Sequence, residues 1–359
     1  MLVDKSEDGF LASYHARFGC ITCHGGVGGV EQMEAAHEGM VRNRPLEETC
    51  QLCHLDISDA NPTSLHTNLA GYITVLEERG SPETMPQLMT AYDNHCASCH
   101  ATCGQCHVSR PASTGSGLLK GHAFQKTPPM NNTCTGCHGS RVNDEYKGKN
   151  TDADGKKIKA DVHFNPGMMA CQNCHTGDEM HGMTSQFNHR YDGPENPSCT
   201  QEGCHETVGP GDGIAQHTGY HVNALSCQVC HAVPYKNCYA CHVQKSEEGV
   251  PYFKIEPSEM MFKIGRNPIQ SAERPYQYVP VRHVPIARDS FAYYGENLLP
   301  NFDSRPTWTY ATPHTIQRIT PQNETCNACH GHAELFLTRD DVDPGELETN
   351  RSVIVEEIP

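Results

Sequence analysis

Ten short motifs, each ending in Cys-His, use all twenty cysteines of this 359-residue sequence. Nine have two residues between the cysteines: Cys20, Cys23 and His24; Cys50, Cys53 and His54; Cys96, Cys99 and His100; Cys103, Cys106 and His107; Cys134, Cys137 and His138; Cys171, Cys174 and His175; Cys227, Cys230 and His231; Cys238, Cys241 and His242; Cys326, Cys329 and His330. The tenth, Cys199, Cys204 and His205, has four. Cys-x-x-Cys-His is the attachment sequence for c-type haem. Two thiols add to the vinyl groups of one porphyrin, and the next residue becomes the proximal iron ligand. A disulfide framework needs no His after every second cysteine, and zinc sites pair Cys-x-x-Cys motifs without that constant His. The longer loop at Cys199 still lets both thiols reach one haem, against a free or disulfide-linked pair. The cofactor expected is therefore haem c, ten per chain.

Ten proximal histidines leave thirteen of the 23 to close the sixth iron positions: His15, His37, His66, His95, His122, His163, His181, His189, His217, His221, His283, His314 and His332. So generous a supply favours bis-His ligation, with its low potentials, over Met ligation. The twelve Met then serve as filler against porphyrin faces. His37 and His66 lie on apolar stripes at helical spacing, Met33, Ala36, Met40 and Val41 with the first, Leu69, Ala70, Ile73 and Leu76 with the second. Such stripes are expected to face haem. His95 abuts an attached cysteine, His189 lies in a polar run and His332 sits two residues past a proximal ligand. These three are the ones to drop, which keeps His15 and His122 among the ligands.

The elements that must hold these residues are expected to be slight. Only 36% of the chain is hydrophobic, with one Trp, 31 Gly and 24 Pro. A thin apolar core and much irregular backbone follow. The expected fold is mostly irregular and loop-rich, with short α-helices, little β-structure and a core of ten covalently bound haems. Ser81 as N-cap and Pro82 at the first helical position predict a helix running into Cys96. Only Ala101 and Thr102 separate His100 from Cys103, which ties two haems side by side. Residues 1–245 form a haem-dense region with nine motifs. Residues 246–320 form a haem-poor segment that wraps back and supplies distal His, its prolines arguing against an independent core. Residues 321–359 hold the last motif and a tail whose β-prone end pairs with a neighbouring subunit, packs on its own chain or stays disordered. Asn150, Asp152, Asp154, Gly155 and Asp161 match part of a calcium loop, but Lys147, Lys149, Lys156, Lys157 and Lys159 oppose a cation, and a solvated turn is the simpler expectation.

A formal charge of −16 excludes nucleic acid as a partner. No apolar run is long enough to span a bilayer. Haem attachment of this kind belongs outside the cytoplasm, so the protein is expected to be exported, with its signal removed or lying before this numbering.

The stretches "CASCHATCGQCHVSRP", "LSCQVCHAVPYKNCYACHV" and "LPNFDSRPTWTYATPHTIQRITPQNETCNACHGH" resemble the large exported multihaem cytochromes of metal-respiring bacteria, and at a distance the octahaem tetrathionate reductase group. The resemblance spans most of Cys20 to His332. It implies that His163, His181, His217, His221, His283 and His314 are distal ligands. It also implies electron transfer at or beyond the cell surface, the periplasm being the alternative, and in some members polymerisation into filaments. Expected partners are further copies of the chain, redox partner cytochromes and an extracellular acceptor such as a metal oxide. The reductases' Cys-x-x-Cys-Lys is missing, which shifts the expectation from catalysis to conduction. A terminal reductase of a sulfur or nitrogen oxyanion and a soluble periplasmic shuttle are the alternatives.

Overall fold

A computed structural model describes residues 9–41, 47–99, 101–193, 197–236, 239–256 and 260–359. Two expected site residues, His100 and Cys238, lie outside the described residues. The chain divides into two compact units, neither continuous in sequence. The first comprises Met1–Ala70, Ser98–His138 and Cys171–Asp192; the second comprises Gly71–Ala97, Gly139–Ala170 and Gly193–Pro359. This division differs from the three successive segments expected, because the haem-dense part contributes to both units.

The first unit is built from single turns of helix joined by irregular backbone, as its Gly, Pro and Cys-His content dictates. Polar side chains do much of the fastening. Ser64 caps the helix Leu65–Asn68 by accepting from the His66 N–H (3.1 Å), and its own hydroxyl donates to Met180 O (2.8 Å). Asn68 Nδ2 donates to Phe187 O (2.6 Å). The stripe through His66 does not run as one helix: Leu69 adopts a left-handed conformation (φ 52°), and a second helix, Ala70–Arg79, starts after it. The stripe through His37 is likewise shorter than its periodicity suggests, since the helix Met33–Ala36 ends with His37 as its C-cap. Gly182 (φ +75°) closes the Ser64 contact, with a would-be Cβ 2.9 Å from both Ala60 O and Ser64 N. Gly182→Ala is expected to cost about 1–3 kcal/mol, read as a lower denaturation midpoint with unchanged haem content; an unaltered midpoint would show that this turn is not constrained.

In the second unit the helix Met85–His95 buries Leu88, Ala91, Tyr92 and His95. It starts one turn later than expected, because Ser81 O takes the Thr84 and Met85 N–H groups in a preceding turn and Pro86 occupies the first turn of the helix. Five strands follow: β1 (Tyr239–Lys245), β2 (Pro251–Glu256), β3 (Lys263–Arg266), β4 (Tyr278–His283) and β5 (Trp308–Tyr310). The first two form an antiparallel hairpin, and β3-β4-β5 form a three-stranded antiparallel sheet pairing Lys263 with Val281 and Val281 with Tyr310. Val279, Val281, Trp308 and Tyr310 pack with Leu337, Val342, Val353 and Ile354 in a conventional apolar core. The haem-poor stretch and the tail therefore build one core together, where the sequence alone promised only a wrapping strand. The β-prone tail packs on its own chain: Val353 O accepts from Arg266 N and Leu337 O from Val355 N, both at 2.8 Å. Short helices, few strands and much irregular chain agree with the expected loop-rich class. Among the described residues no helix is long and apolar enough to cross a membrane.

Candidate metal centres

Where a motif coils, Cys, Cys and His occupy positions i, i+3 and i+4 of one helical turn, which sets both thiols and the imidazole on one side. Cys20–His24, Cys103–His107 and Cys227–His231 are such helices. In others the same closure appears as a single bond from the His N–H to the first Cys carbonyl: His54 to Cys50 (3.0 Å), His138 to Cys134 (2.9 Å), His175 to Cys171 (2.9 Å). The motif with the longer spacing keeps that bond, His205 N to Cys199 O at 3.1 Å, with Gly203 in a left-handed turn (φ +79°) taking up the two extra residues. Thr102, in the two-residue link after His100, caps the helix Cys103–His107 in a capping box with Gln105.

The histidines meet in pairs. Two imidazoles on opposite sides of one metal, each bonded at about 2 Å, have ring centres roughly 6 Å apart. In the first unit His54 and His15 stand at 6.3 Å, His24 and His122 at 5.9 Å, His138 and His66 at 6.0 Å, and His107 and His181 at 6.1 Å. In the second, His205 and His163 stand at 6.2 Å, His231 and His217 at 6.3 Å, and His330 and His221 at 6.1 Å. Each of these seven pairs joins a motif histidine to a spare one.

Hydrogen bonds fix ring orientation. His24 Nδ1–H donates to Val41 O (3.1 Å), His107 to Gln125 O (2.6 Å), His221 to Gln216 O (2.7 Å) and His231 to Gln317 O (3.1 Å). Three others meet carboxylates: His163 with Asp161 (2.8 Å), His217 with Asp212 (2.6 Å) and His175 with Glu179 (3.0 Å). With Nδ1 engaged, Nε2 is the nitrogen that remains for a metal. Burial, and then His138, His175 and His181 nearby, bring the His66 pKa down to about 4. Burial lowers His138 as well, and burial with His107 lowers His181. These rings are neutral at pH 7, the form in which imidazole binds metal. Donating its Nδ1–H to the Asp161 carboxylate raises the His163 pKa, and Asp212 is held at about 2 chiefly by its bond with His217.

Other spare histidines are used differently. His283 was expected to be a distal ligand, but its ring is buried against Trp308, with Nδ1 2.6 Å from Val284 O and Nε2 2.9 Å from Glu346. Both ring nitrogens thus have polar partners within the second unit. His95 Nε2 lies 2.9 Å from the Tyr294 hydroxyl, and His332 Nδ1, half-exposed, 2.6 Å from Glu334. His314 is anchored by its backbone N–H to Glu145 (2.8 Å), a fully buried carboxylate that also takes the Tyr235 hydroxyl and Arg282 (3.2 Å). The calcium-loop reading fails at position twelve: Asp161, 2% exposed, spends one oxygen on His163 and the other on the Ile316 N–H (2.8 Å). Asp152 accepts from the Asp154 and Lys156 N–H groups, as an ordinary turn does.

Thiols of different motifs also meet. In the first unit the Cys134 thiol is hydrogen-bonded with Cys171 and the Cys137 thiol with Cys99. In the second, Cys230 and Cys329 pack against one apolar cluster of Val229, Ile264, Phe336 and Val355. Burial carries Cys106 and Cys230 up to about 11. Among the described residues no cysteine is in a disulfide and no cluster of three or more His, Cys, Asp or Glu suits a metal. The donors come in pairs that leave the rest of a metal's coordination to another ligand; a porphyrin would supply it, with the thiols beside them as its anchors. The residues thus fit haem c. Compared with protein-family models, curated proteins and solved structures, the chain matches none.

Proposed function

We propose that the chain is a decahaem c-type cytochrome that conducts electrons along bis-His haems in extracellular electron transfer, with further copies of itself in a filament. The observation that carries this reading is the set of seven histidine pairs at 5.9–6.3 Å, each joining a motif histidine to a spare one. Haem c bound there supplies one-electron iron couples. At these seven pairs the chain's residues would hold two nitrogens to one iron, closing its sixth position to substrate. That is the arrangement of a carrier rather than of a reductase. By elimination, His37, His189 and His314 are assigned to His100, His175 and His242, and His189 replaces His283 among the expected ligands. Export to the cell surface, donor cytochromes and an acceptor such as a metal oxide complete the proposal.

Pyridine haemochrome and electron paramagnetic resonance on the native protein test it together: ten haems per chain, all low-spin, are expected. A high-spin iron with turnover of tetrathionate, nitrite or hydroxylamine would replace conduction by catalysis. Negative-stain images decide between filaments and monomers.

A further inference from the structure

The partners of the seven orienting Nδ1 bonds fall into two chemical classes, and the classes are not scattered along the chain. Motifs at Cys20, Cys103 and Cys326 have an axial histidine held only by a neutral backbone carbonyl, Val41, Gln125 and Gln216 respectively, and His231 of the Cys227 motif is held by the Gln317 carbonyl. Three consecutive motifs, at Cys171, Cys199 and Cys227, each have one held by a carboxylate. Glu179 brackets His175 Nδ1 with both oxygens (3.0 and 3.2 Å). Asp161 takes both the backbone N–H and Nδ1 of His163, at 2.9 and 2.8 Å, from a site 2% exposed. Asp212 takes His217 Nδ1 at 2.6 Å while the Gly209 and Ile214 N–H groups hold it in place. Other carboxylates stand too far away to count: Asp289 is 3.9 Å from His242 Nδ1 and Glu145 3.9 Å from His314 Nδ1.

A carboxylate on the outer nitrogen draws the proton away and makes the imidazole a more basic, more anionic ligand. Such a ligand stabilises Fe(III) over Fe(II), which lowers the potential; a carbonyl does so far less. Resting on the haem-ligand reading above, we infer that Glu179, Asp161 and Asp212 are positioning residues that make the haems at Cys171, Cys199 and Cys227 the low-potential group of this protein. The chain then carries a built-in potential step along its sequence rather than ten equivalent centres. Asp161 should act most strongly, because it is the most deeply buried and no water competes for its charge.

The test is a spectroelectrochemical titration of the full-length holoprotein with Asp161→Asn, Glu179→Gln and Asp212→Asn. Each amide keeps the acceptor oxygen and removes the charge. The expected result is an unchanged count of low-spin haems with the lowest-potential part of the curve moved upward in each variant. Losing a tenfold preference for the oxidised iron would move it by about 59 mV. The near-infrared and g-value signature of one haem should change with it. Glu334→Gln, beside the exposed His332, is the control and should shift nothing. Should Asp161→Asn fail to fold, Asp212→Asn still decides the question from its surface loop. Curves that overlay the wild type while all ten low-spin haems persist overturn the inference and leave the cytochrome reading standing. Missing haems or absent low-spin signals in the wild type would instead overturn that reading.

Discussion

Replacing His66 by Ala is expected to leave all ten haems covalently attached and to convert one of them from low-spin to high-spin. His66 faces His138 at 6.0 Å, and burial beside His138, His175 and His181 keeps it neutral, with its pKa near 4. The neighbouring imidazole of His181 already stands opposite His107 and that of His175 is held by Glu179, so neither is expected to substitute. What His66 contributes through its main chain, the carbonyl that accepts from Ala101 N at 3.1 Å and the N–H capped by Ser64, survives the change. The fold should therefore hold while the iron opens. Cyanide or carbon monoxide should bind the variant at one site per chain, exogenous imidazole should restore the low-spin spectrum, and electron transfer through the chain should slow. A variant that remains fully low-spin, with no ligand binding, would show that His66 is not the ligand opposite His138.

Trp308→Ala should have the largest effect on stability and none on ligation. The side chain is 2% exposed, sits on β5 against Val279 and Val281, and its backbone N–H is held by Asn350 Oδ1 (2.9 Å). Emptying so large a buried site typically costs about 3–5 kcal/mol. Its ring also packs edge-on against His283 at 6.0 Å. Denaturation followed by far-ultraviolet circular dichroism, since the variant loses the only Trp, should show the lower midpoint, while the low-spin haem count stays the same. Loss of a low-spin signal would return His283 to the ligands.

How far the sequence could be read differs by site, for physical reasons. Attachment motifs are local: two thiols and an imidazole must reach one porphyrin, so their spacing is visible in five or seven residues. Ligand pairing is not local, because His24 meets His122 and His221 meets His330 across long stretches of chain. The carboxylates behind His163, His175 and His217 lay within five residues of their rings and were open to inspection, whereas Gln317, the partner of His231, lies 86 residues away. His283 carries a second signal besides its resemblance. In β4 it follows Val279 and Val281 at alternate positions, and both valines are fully buried. Period-two alternation already placed it on the core side of a strand. Its resemblance to a ligand-bearing stretch was the weaker signal. The core of Trp308 with Val353 and Ile354 stayed hidden because it joins segments whose apolar residues are sparse until folding brings them together.

Both compact units are sewn from separated segments. The first closes only when residues up to Asp192 are present, and the second needs Gly71–Ala97 together with the chain as far as Pro359. Neither unit is one uninterrupted stretch of chain, and the span of each encloses part of the other. A chain growing from its N-terminus thus cannot complete the first unit before Gly71–Ala97 of the second has been made. A chain that ends before Cys171 should leave both units incompletely folded, because each lacks a segment it needs.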